Sequence, residues 1–401
     1  MADLLVISSA PAYISGDDVY LDVKFVEGME FFSDEWDGRV ECLIPVGPKL
    51  PFVRMYRRSD LSFKVNLIHT AESVDEALLT AFDVVLCEGD SHRYLHIADK
   101  LAKSATKLVY IAEYTLGAQI RVALLNRDKN LARRVFSAIW SATHEARRRF
   151  AFLNSDGIQA NGYHAFNIYK KIKRNSILFL DSRLKERLIV KDTIVLRKTA
   201  WLLQGAPLRL LHSGRLEPYK GSQDLIPIAR ELRQRGIEFT LDIFGVGSLE
   251  DAIRRDINES FLHSQVTMHG AVDFETGLVP FAQGNCDIYV SCHRQSDPSC
   301  TYIESMGCGL AITGYANKMW SALCHSSNAG WIAPLADQKA LTDLIADADK
   351  DRKGLVERIE AAKAFSAEHC FEAEFRKRIA HLRHVVSGGE QHSPAEICRQ
   401  K

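Results

Sequence analysis

His293-Arg294-Gln295-Ser296-Asp297-Pro298-Ser299-Cys300-Thr301-Tyr302-Ile303-Glu304-Ser305-Met306-Gly307-Cys308-Gly309 lies between two apolar runs, Cys286-Asp287-Ile288-Tyr289-Val290-Ser291 and Leu310-Ala311-Ile312-Thr313. Strand, polar loop, short helix, glycine and strand in that order is the grammar of a parallel βαβ unit. Pro298 suits a helix entry, Ser299 or Thr301 can cap its first amides, and Gly307 and Gly309 can end it. A helix that starts at the C-terminal edge of a parallel sheet is a ready anion site. Glu304 falls about one turn inside that helix, where a carboxylate can reach neutral hydroxyls attached to the anion.

Working outward, the same pattern begins at Leu208-Arg209-Leu210-Leu211-His212-Ser213, whose loop is Gly214-Arg215-Leu216-Glu217-Pro218-Tyr219-Lys220-Gly221. Asp224 to Arg235 has helical periodicity, with Leu225, Ile228, Ala229 and Leu232 on one face. Further strands are expected at Phe239–Phe244 and Val266–Met268, followed by Gly245-Val246-Gly247 and His269-Gly270. If the sheet is parallel, these loops point one way. Arg215 and Lys220 with helix amides then match the charge and geometry of a diphosphate. There is no Walker A sequence, and Gly245-Val246-Gly247-Ser248-Leu249-Glu250 lacks the third glycine of a dinucleotide fingerprint, which removes the best support for a kinase or a dehydrogenase.

The first half alternates in the same way. Apolar runs at Leu4-Leu5-Val6-Ile7, Val40 to Val46, Phe63 to Ile68, Phe82 to Leu86 and Leu108 to Ile111 are separated in several places by helical stretches such as Glu72 to Thr80 and Arg93 to Ala102. That predicts a doubly wound α/β domain with ligand loops at the C-terminal strand ends. Ser15-Gly16 is a surface turn or a close approach of backbone to ligand. His92 and His96 have the i, i+4 spacing of a metal pair but no evident third ligand, so a surface pair is favoured. Glu113 at a strand end suits an acceptor site or a helix start. Leu116 to Phe152 reads as a long helical region with Arg133-Arg134, Trp140, Arg147-Arg148-Arg149, Phe150 and Phe152. It is either a face for an anionic bilayer or a solvated face flanking core aromatics, and the basic cluster Lys170-Lys171-Lys173-Arg174 has the same two readings. Gly157 to Gly162 is expected to close the first domain.

With 401 residues, two domains are the default. Lys and Arg total 51 against 51 Asp and Glu, so there is no net pull towards nucleic acid. Nine cysteines without a Cys-x-x-Cys pair fit neither a zinc ribbon nor a disulfide framework and suggest a reducing cytosol. Cys292, Cys300 and Cys308 span a strand, a loop and a helix end, and are expected to be small buried residues rather than a ligand set. The N-terminus has no basic n-region and reads as a first strand. No apolar run reaches the ~18 residues of a membrane span.

Over about Leu208 to Gly314 the loops and their order resemble the nucleotide-sugar domain of retaining GT-B glycosyltransferases of family four. The resemblance implies an α/β GT-B fold of two Rossmann-like doubly wound domains facing each other across a cleft. The acceptor-binding domain is placed at 1–195, the nucleotide-sugar domain at 196–370, a helix packing back across the cleft at 371–388 and a polar tail at 389–401. It implies that Arg215 and Lys220 meet the donor diphosphate, that the amides of Ser299, Cys300 and Thr301 meet the same phosphates, and that Glu304 holds the ribose. Gly214, Gly245, Gly247 and Gly270 complete the donor set. The family's other glutamate, eight residues before Glu304, is replaced by Ser296, with Asp297 next to it; both are placed in the donor set, Asp297 as a shorter-reaching substitute for that glutamate. Gly16, His92 and Glu113 are the acceptor-side candidates.

The expected reaction is transfer of a sugar from a UDP- or GDP-linked donor to an acceptor hydroxyl with retention, by front-face attack and without a metal or other cofactor. Arg215, Lys220 and Glu304 are the residues expected to carry it. The expected partners are a nucleotide sugar, a saccharide or lipid-linked saccharide acceptor of envelope polysaccharide synthesis, and an anionic membrane surface touched from the cytoplasm, with no nucleic acid. A degenerate nucleotide-sugar-binding protein and a GT-B epimerase or phosphorylase are the alternatives.

Overall fold

The computed structural model describes residues 1–50, 53–125, 130–296 and 298–388. The predicted Asp297 and the polar tail 389–401 lie outside the described residues. By backbone contacts the chain divides into two units, one comprising Met1–Ile120, Leu131–Phe179 and the segment from Glu372, the other Arg121–Asn130 and Leu180–Phe371.

The first unit contains β1 (Leu4–Ile7), β2 (Tyr13–Ser15), β3 (Asp18–Asp22), β4 (Val40–Pro45), β5 (Val53–Arg57), β6 (Lys64–Ile68), β7 (Val84–Glu88), β8 (Lys107–Ala112), β9 (Gly157–Asn161) and β10 (Ser176–Phe179). Seven of these form one sheet in the order β10-β9-β8-β7-β1-β4-β6, and every pairing in it is parallel. Its central strands are apolar on consecutive residues because helices cover both faces, so no side chain has a wet side to turn to. Leu4 to Ile7 and Val84 to Cys87 are accordingly all buried. The remaining strands make the small antiparallel sheet β2-β3-β5, which has no counterpart in the expected alternation.

The second unit contains β11 (Leu208–Ser213), β12 (Phe239–Phe244), β13 (Val266–Gly270), β14 (Ile288–Ser291), β15 (Ala311–Tyr315) and β16 (Gly330–Ala333), in the order β13-β12-β11-β14-β15-β16. All five pairings are parallel. Each unit has its own apolar core. In both sheets the chain winds outward from a first strand, returns beside it, and winds the other way. The point of return lies between β1 and β7 in one and between β11 and β14 in the other. Adjacent loops at such a point leave in opposite directions and open a crevice at the strand ends.

Three expectations need correction. The first sheet does not end at Gly157–Gly162, because β10 continues it after a helix at Gly162–Tyr169. The border between the units falls at 179/180 rather than 195/196. Leu184 and Val190 explain the shift: the Val190 amide donates to Gly307 O at 2.7 Å, and an added Cβ at Gly307 would lie 2.0 Å from Leu184 Cδ2. Residues 180–195 therefore pack with the second unit. Finally, Ser299 and Thr301 do not cap the decisive helix. It runs Thr301–Gly307 without a side-chain cap, and the two hydroxyls bond each other at 2.8 Å.

The C-terminal helix Phe371–Ser387 returns the chain to the first unit. The Phe375 ring lies against Gly28, where an added Cβ would come within 2.8 Å, and against Phe31 and Phe32. Arg378 Nε donates to Gln159 Oε1 at 2.8 Å and Gln159 Nε2 returns a bond to Arg378 O at 3.0 Å. This pairs polar groups that are otherwise buried.

Candidate active site

The site at the second switch point is built from backbone first. Gly214 (φ 141°) and Gly245 (φ 124°) cross so closely that an added Cβ at Gly245 would lie 1.9 Å from Gly214 O. Only glycine tolerates both the dihedral and the approach. Gly214 N donates to Phe244 O, and Gly245 N to Gly270 O at 2.7 Å. The loops after β11, β12 and β13 are thus zipped together through three of the predicted glycines. Gly247 serves the same seam, with Leu216 O 2.5 Å from its hypothetical Cβ.

The loop after β14 is tied to the Lys220 loop in the same way. An added Cβ at Gly221 (φ 73°) would strike Cys292 O at 1.9 Å, and Arg294 N donates to Tyr219 O at 3.1 Å. Buried Asp224 fastens this joint: it accepts both bonds from Arg294 Nη2 at 2.7 Å, one from Tyr315 Oη at 3.1 Å and one from Gln338 Nε2 at 2.7 Å. A buried carboxylate is tolerated only with such a complement of donors. Tyr289 joins the other side, its hydroxyl donating to Ser213 O at 2.9 Å. Its phenol is also hydrogen-bonded with Thr301, and burial raises its pKa.

On this frame Lys220 is 7% exposed, while Arg215 is exposed with its guanidinium 5.4 Å from the Tyr219 ring centroid. Glu304 is half-buried in the first turn of the helix that starts at Thr301. Two histidines back Lys220. His212 is fully buried, with Nδ1 at 3.0 Å from Val290 O, and burial lowers its pKa to about 4. His293 is 1% exposed, and among the described residues neither ring nitrogen has a hydrogen-bond partner. Burial, then the Lys220 charge, then His212, hold it well below the usual histidine range. Both rings are therefore neutral at pH 7, and the positive charge at this edge belongs to the lysine and arginines. His293 was not among the predicted residues, since a histidine just after a strand carries no local mark of its burial.

Ser296 has a structural use: its Oγ accepts the Lys318 amide at 3.0 Å at the start of the helix Lys318–Ser327. Cys300 is half-buried, Cys292 and Cys308 are buried, and all three are free thiols. Burial raises the pKa of both buried thiols. Among the described residues no group of three His, Cys, Asp or Glu side chains gathers as a metal site.

At the first switch point the groups are acidic. Glu88 Oε2 accepts Ser9 N and Oγ at 2.8 and 2.6 Å. Asp90 accepts the amides of Glu113 and Tyr114 at 2.7 and 3.1 Å. Arg148, 3% exposed, binds Asp90 at 3.1 Å, Tyr114 O at 2.8 Å and the Glu145 carboxylate. Burial pushes Asp90 up to about 7 against the opposing pull of Arg148 and the two amides. The predicted Glu113 stands at the end of β8, where Asn161 Nδ2 donates to it at 3.3 Å. Beside it Thr115 Oγ1 and His164 Nε2 are 2.9 Å apart. Asn161, His164 and Thr115 went unread because they are single polar residues in separate segments, brought together only by parallel pairing. The other two acceptor candidates lie elsewhere. Gly16 (φ 63°) forms the turn between β2 and β3 with nothing within 4 Å of an added Cβ, and that turn explains the glycine. His92 packs on Trp140 at 4.7 Å and His144 at 5.0 Å, and His96 Nδ1 is 2.8 Å from Arg93 O.

Two parallel Rossmann-like sheets with strand-end loops of this kind define the GT-B fold. Among solved structures, sucrose-phosphate synthase from Thermosynechococcus elongatus superposes with a TM-score of 0.68 at 12% identity, over 97% of this chain and 100% of that one. Anabaena HepE, solved with UDP, gives 0.64 at 13% identity, over 95% and 98%. Residues 198–365, which lie within the second unit, match the family described as Glycosyl transferases group 1. The amylovoran biosynthesis glycosyltransferase AmsK of Erwinia amylovora is 27% identical over 187 residues, 44% of this chain and 43% of that one. The putative colanic acid biosynthesis glycosyltransferase WcaL of Salmonella typhimurium is 23% identical over 193 residues, 45% and 46%. The aligned stretches thus span less than half the length of these curated relatives.

Proposed function

We propose that the protein transfers a sugar from a nucleoside diphosphate sugar to a hydroxyl of a saccharide acceptor, with retention at the anomeric carbon. The observation that carries this reading is buried Lys220, held at the second switch point beside two neutral histidines, with Arg215 on the same loop. Cleavage of the donor bond puts negative charge on the outer phosphate of the leaving nucleoside diphosphate. Fixed cations in a water-poor site stabilise that charge without reorganising during the step. Lys220 and Arg215 supply them, the glycine loops let backbone approach the diphosphate, and Glu304 accepts hydroxyls of the ribose. Retention follows the resemblance to family four, in which the acceptor attacks from the face the phosphate leaves and the phosphate takes its proton.

We assign the acceptor to the strand ends of the first unit, where Glu113, Asn161, Thr115 and His164 alternate acceptors and donors in the manner a polyhydroxyl compound requires. The relatives named for colanic acid and amylovoran biosynthesis support a saccharide of envelope polysaccharide as acceptor. The reaction is assigned no metal. The experiment is product analysis with labelled UDP- and GDP-sugars and saccharide acceptors, comparing wild type, wild type with chelator, and Lys220→Ala. Transfer that survives chelator and is lost in the variant is the expected result. Transfer that needs a divalent ion and is indifferent to Lys220 would refute the reading.

One observation favours a second reading. The Ser296 hydroxyl is committed to Lys318, so it does not replace the reach of the family's glutamate. A protein that binds nucleotide sugar without turning it over would give tight donor binding and no product with any acceptor.

A further inference from the structure

The helix Leu131–Leu153 is amphipathic in an unusual sense, since its apolar side faces solvent. Glu145, Arg148, Ala151 and Phe152 face inward and are buried. At about 100° per residue, Val135, Phe136, Ile139, Ala146, Phe150 and Leu153 fall on the opposite side. Phe136 is 68% exposed, Ile139 and Phe150 each 59% and Leu153 57%. No charged side chain interrupts that side, which runs for about 35 Å along 23 residues at the helical rise. An apolar strip of that length is not left to water on an ordinary soluble surface.

Its edges are basic. Arg147 and Arg149 flank the strip on either side near its C-terminal end, Arg149 also pairing with Glu145 at 2.7 Å, and exposed Arg133 lies near the helix start. Lys173 Nζ donates to Leu153 O at 3.3 Å, which brings the run Lys170-Lys171-Lys173-Arg174 to the same end. The sequence left two readings of these clusters open, and the structure divides them. Arg148 turns inward to Asp90 and Glu145, while Arg147, Lys170, Lys171 and Arg174 stay exposed.

We propose that this helix is a docking surface for an anionic lipid bilayer, lying in the interface with its apolar side among the acyl chains and its basic flanks on the head groups. Charge complementarity selects this occupant. A chain of zero formal net charge concentrates basic groups around one apolar strip. A second copy would bring another set of basic flanks to this strip rather than complementary acid, which opposes pairing. The proposal goes beyond the transfer reaction, and its test reads binding alone, so it can fail while the reaction assignment stands.

The test is co-sedimentation of the full chain with vesicles of phosphatidylcholine and with vesicles of phosphatidylcholine plus phosphatidylglycerol, at low and high salt. Binding is expected only with the anionic lipid and should weaken with salt. The double variant Phe136→Glu, Ile139→Glu should bind at least about tenfold more weakly, because it removes two apolar insertions and adds like charge to the membrane's. The pair Arg147→Glu, Lys171→Glu should do the same by charge alone at about tenfold or more. These side chains are exposed, and circular dichroism melts checked alongside should match wild type. Absence of binding to anionic vesicles at low salt would overturn the proposal, as would wild-type binding by both variants. A wild-type dimer in sedimentation velocity that the first variant breaks, without vesicle binding, would assign the strip to self-association instead.

Discussion

Both units lay strands outward from their first strand and then return beside it, and both fill the resulting switch point with polar groups, but of opposite sign. After β11 and β14 stand Arg215, Lys220 and Arg294, backed by neutral His212 and His293. After β1 and β7 stand Glu88 and Asp90, with Glu113 one strand further out. The bracing is alike: Arg294 is locked on Asp224 in one, Arg148 on Asp90 and Glu145 in the other. In the second unit an acid is spent to hold a cationic loop in place. In the first, an arginine is spent to hold an acidic one. The winding places loops at the edge in either case, and only the side chains on them decide whether the edge receives an anion or a hydroxyl-rich molecule.

Breaking the brace in the first unit should have the largest effect. Arg148→Ala leaves buried Asp90 without its guanidinium, while Glu145 keeps Arg149 at 2.7 Å, and removing one partner of a buried pair typically costs about 3–5 kcal/mol. Burial pushes Asp90 up to about 7, so the loss in denaturant titrations should be greater at pH 8 than at pH 5, where the protonated Asp90 carboxyl needs no counter-charge. An equal loss at both values would mean that packing, not charge, is what Arg148 supplies. Next, Lys220→Ala should lower turnover by about 100- to 1,000-fold, the usual effect of removing one fixed donor to a developing charge, with little change in melting temperature. A smaller effect would move the second switch point from the reacting phosphate to mere support.

Acidification should separate the histidines from the cations. His212 has its pKa lowered by burial from 6.5 to about 4, so the unfolded chain takes up a proton over that interval while the folded chain does not. Stability is therefore full above pH 6.5 and falls as pH drops towards 4, by up to about 3 kcal/mol for this one group. His212→Gln should flatten that part of the profile. Smallest of the four, Glu113→Gln should raise the acceptor KM by about tenfold, the worth of one hydrogen bond to a charged group, with donor affinity unchanged. A change in donor affinity instead would dissolve the division of labour between the two edges.

Much of the fold was legible because buried parallel strands must be apolar on every residue. Leu4–Ile7, Val84–Leu86 and Leu208–Leu211 therefore announce themselves without partners. The glycine loops of the second unit were legible for a related reason, since glycines needed for backbone crossing sit within a few residues of Arg215 and Lys220. What escaped depends on contacts distant in sequence. Nothing in Arg147-Arg148-Arg149 says that only the middle one turns inward to Asp90. Nothing near Leu184 and Val190 says that they pack with Gly307 and Gly309, which moves the border of the units. Asn161 and His164 reach Glu113 and Thr115 only because β8 and β9 pair in register.

The contrast between the two edges is most directly tested by calorimetric titration of UDP and of GDP into wild type, Lys220→Ala and Glu113→Gln without added metal. One of the two diphosphates is expected to bind wild type and Glu113→Gln alike, and Lys220→Ala more than about tenfold more weakly, as befits a lost charge-assisted contact. Failure of both to bind wild type, or equal weakening by the two variants, would contradict a diphosphate site at the second switch point.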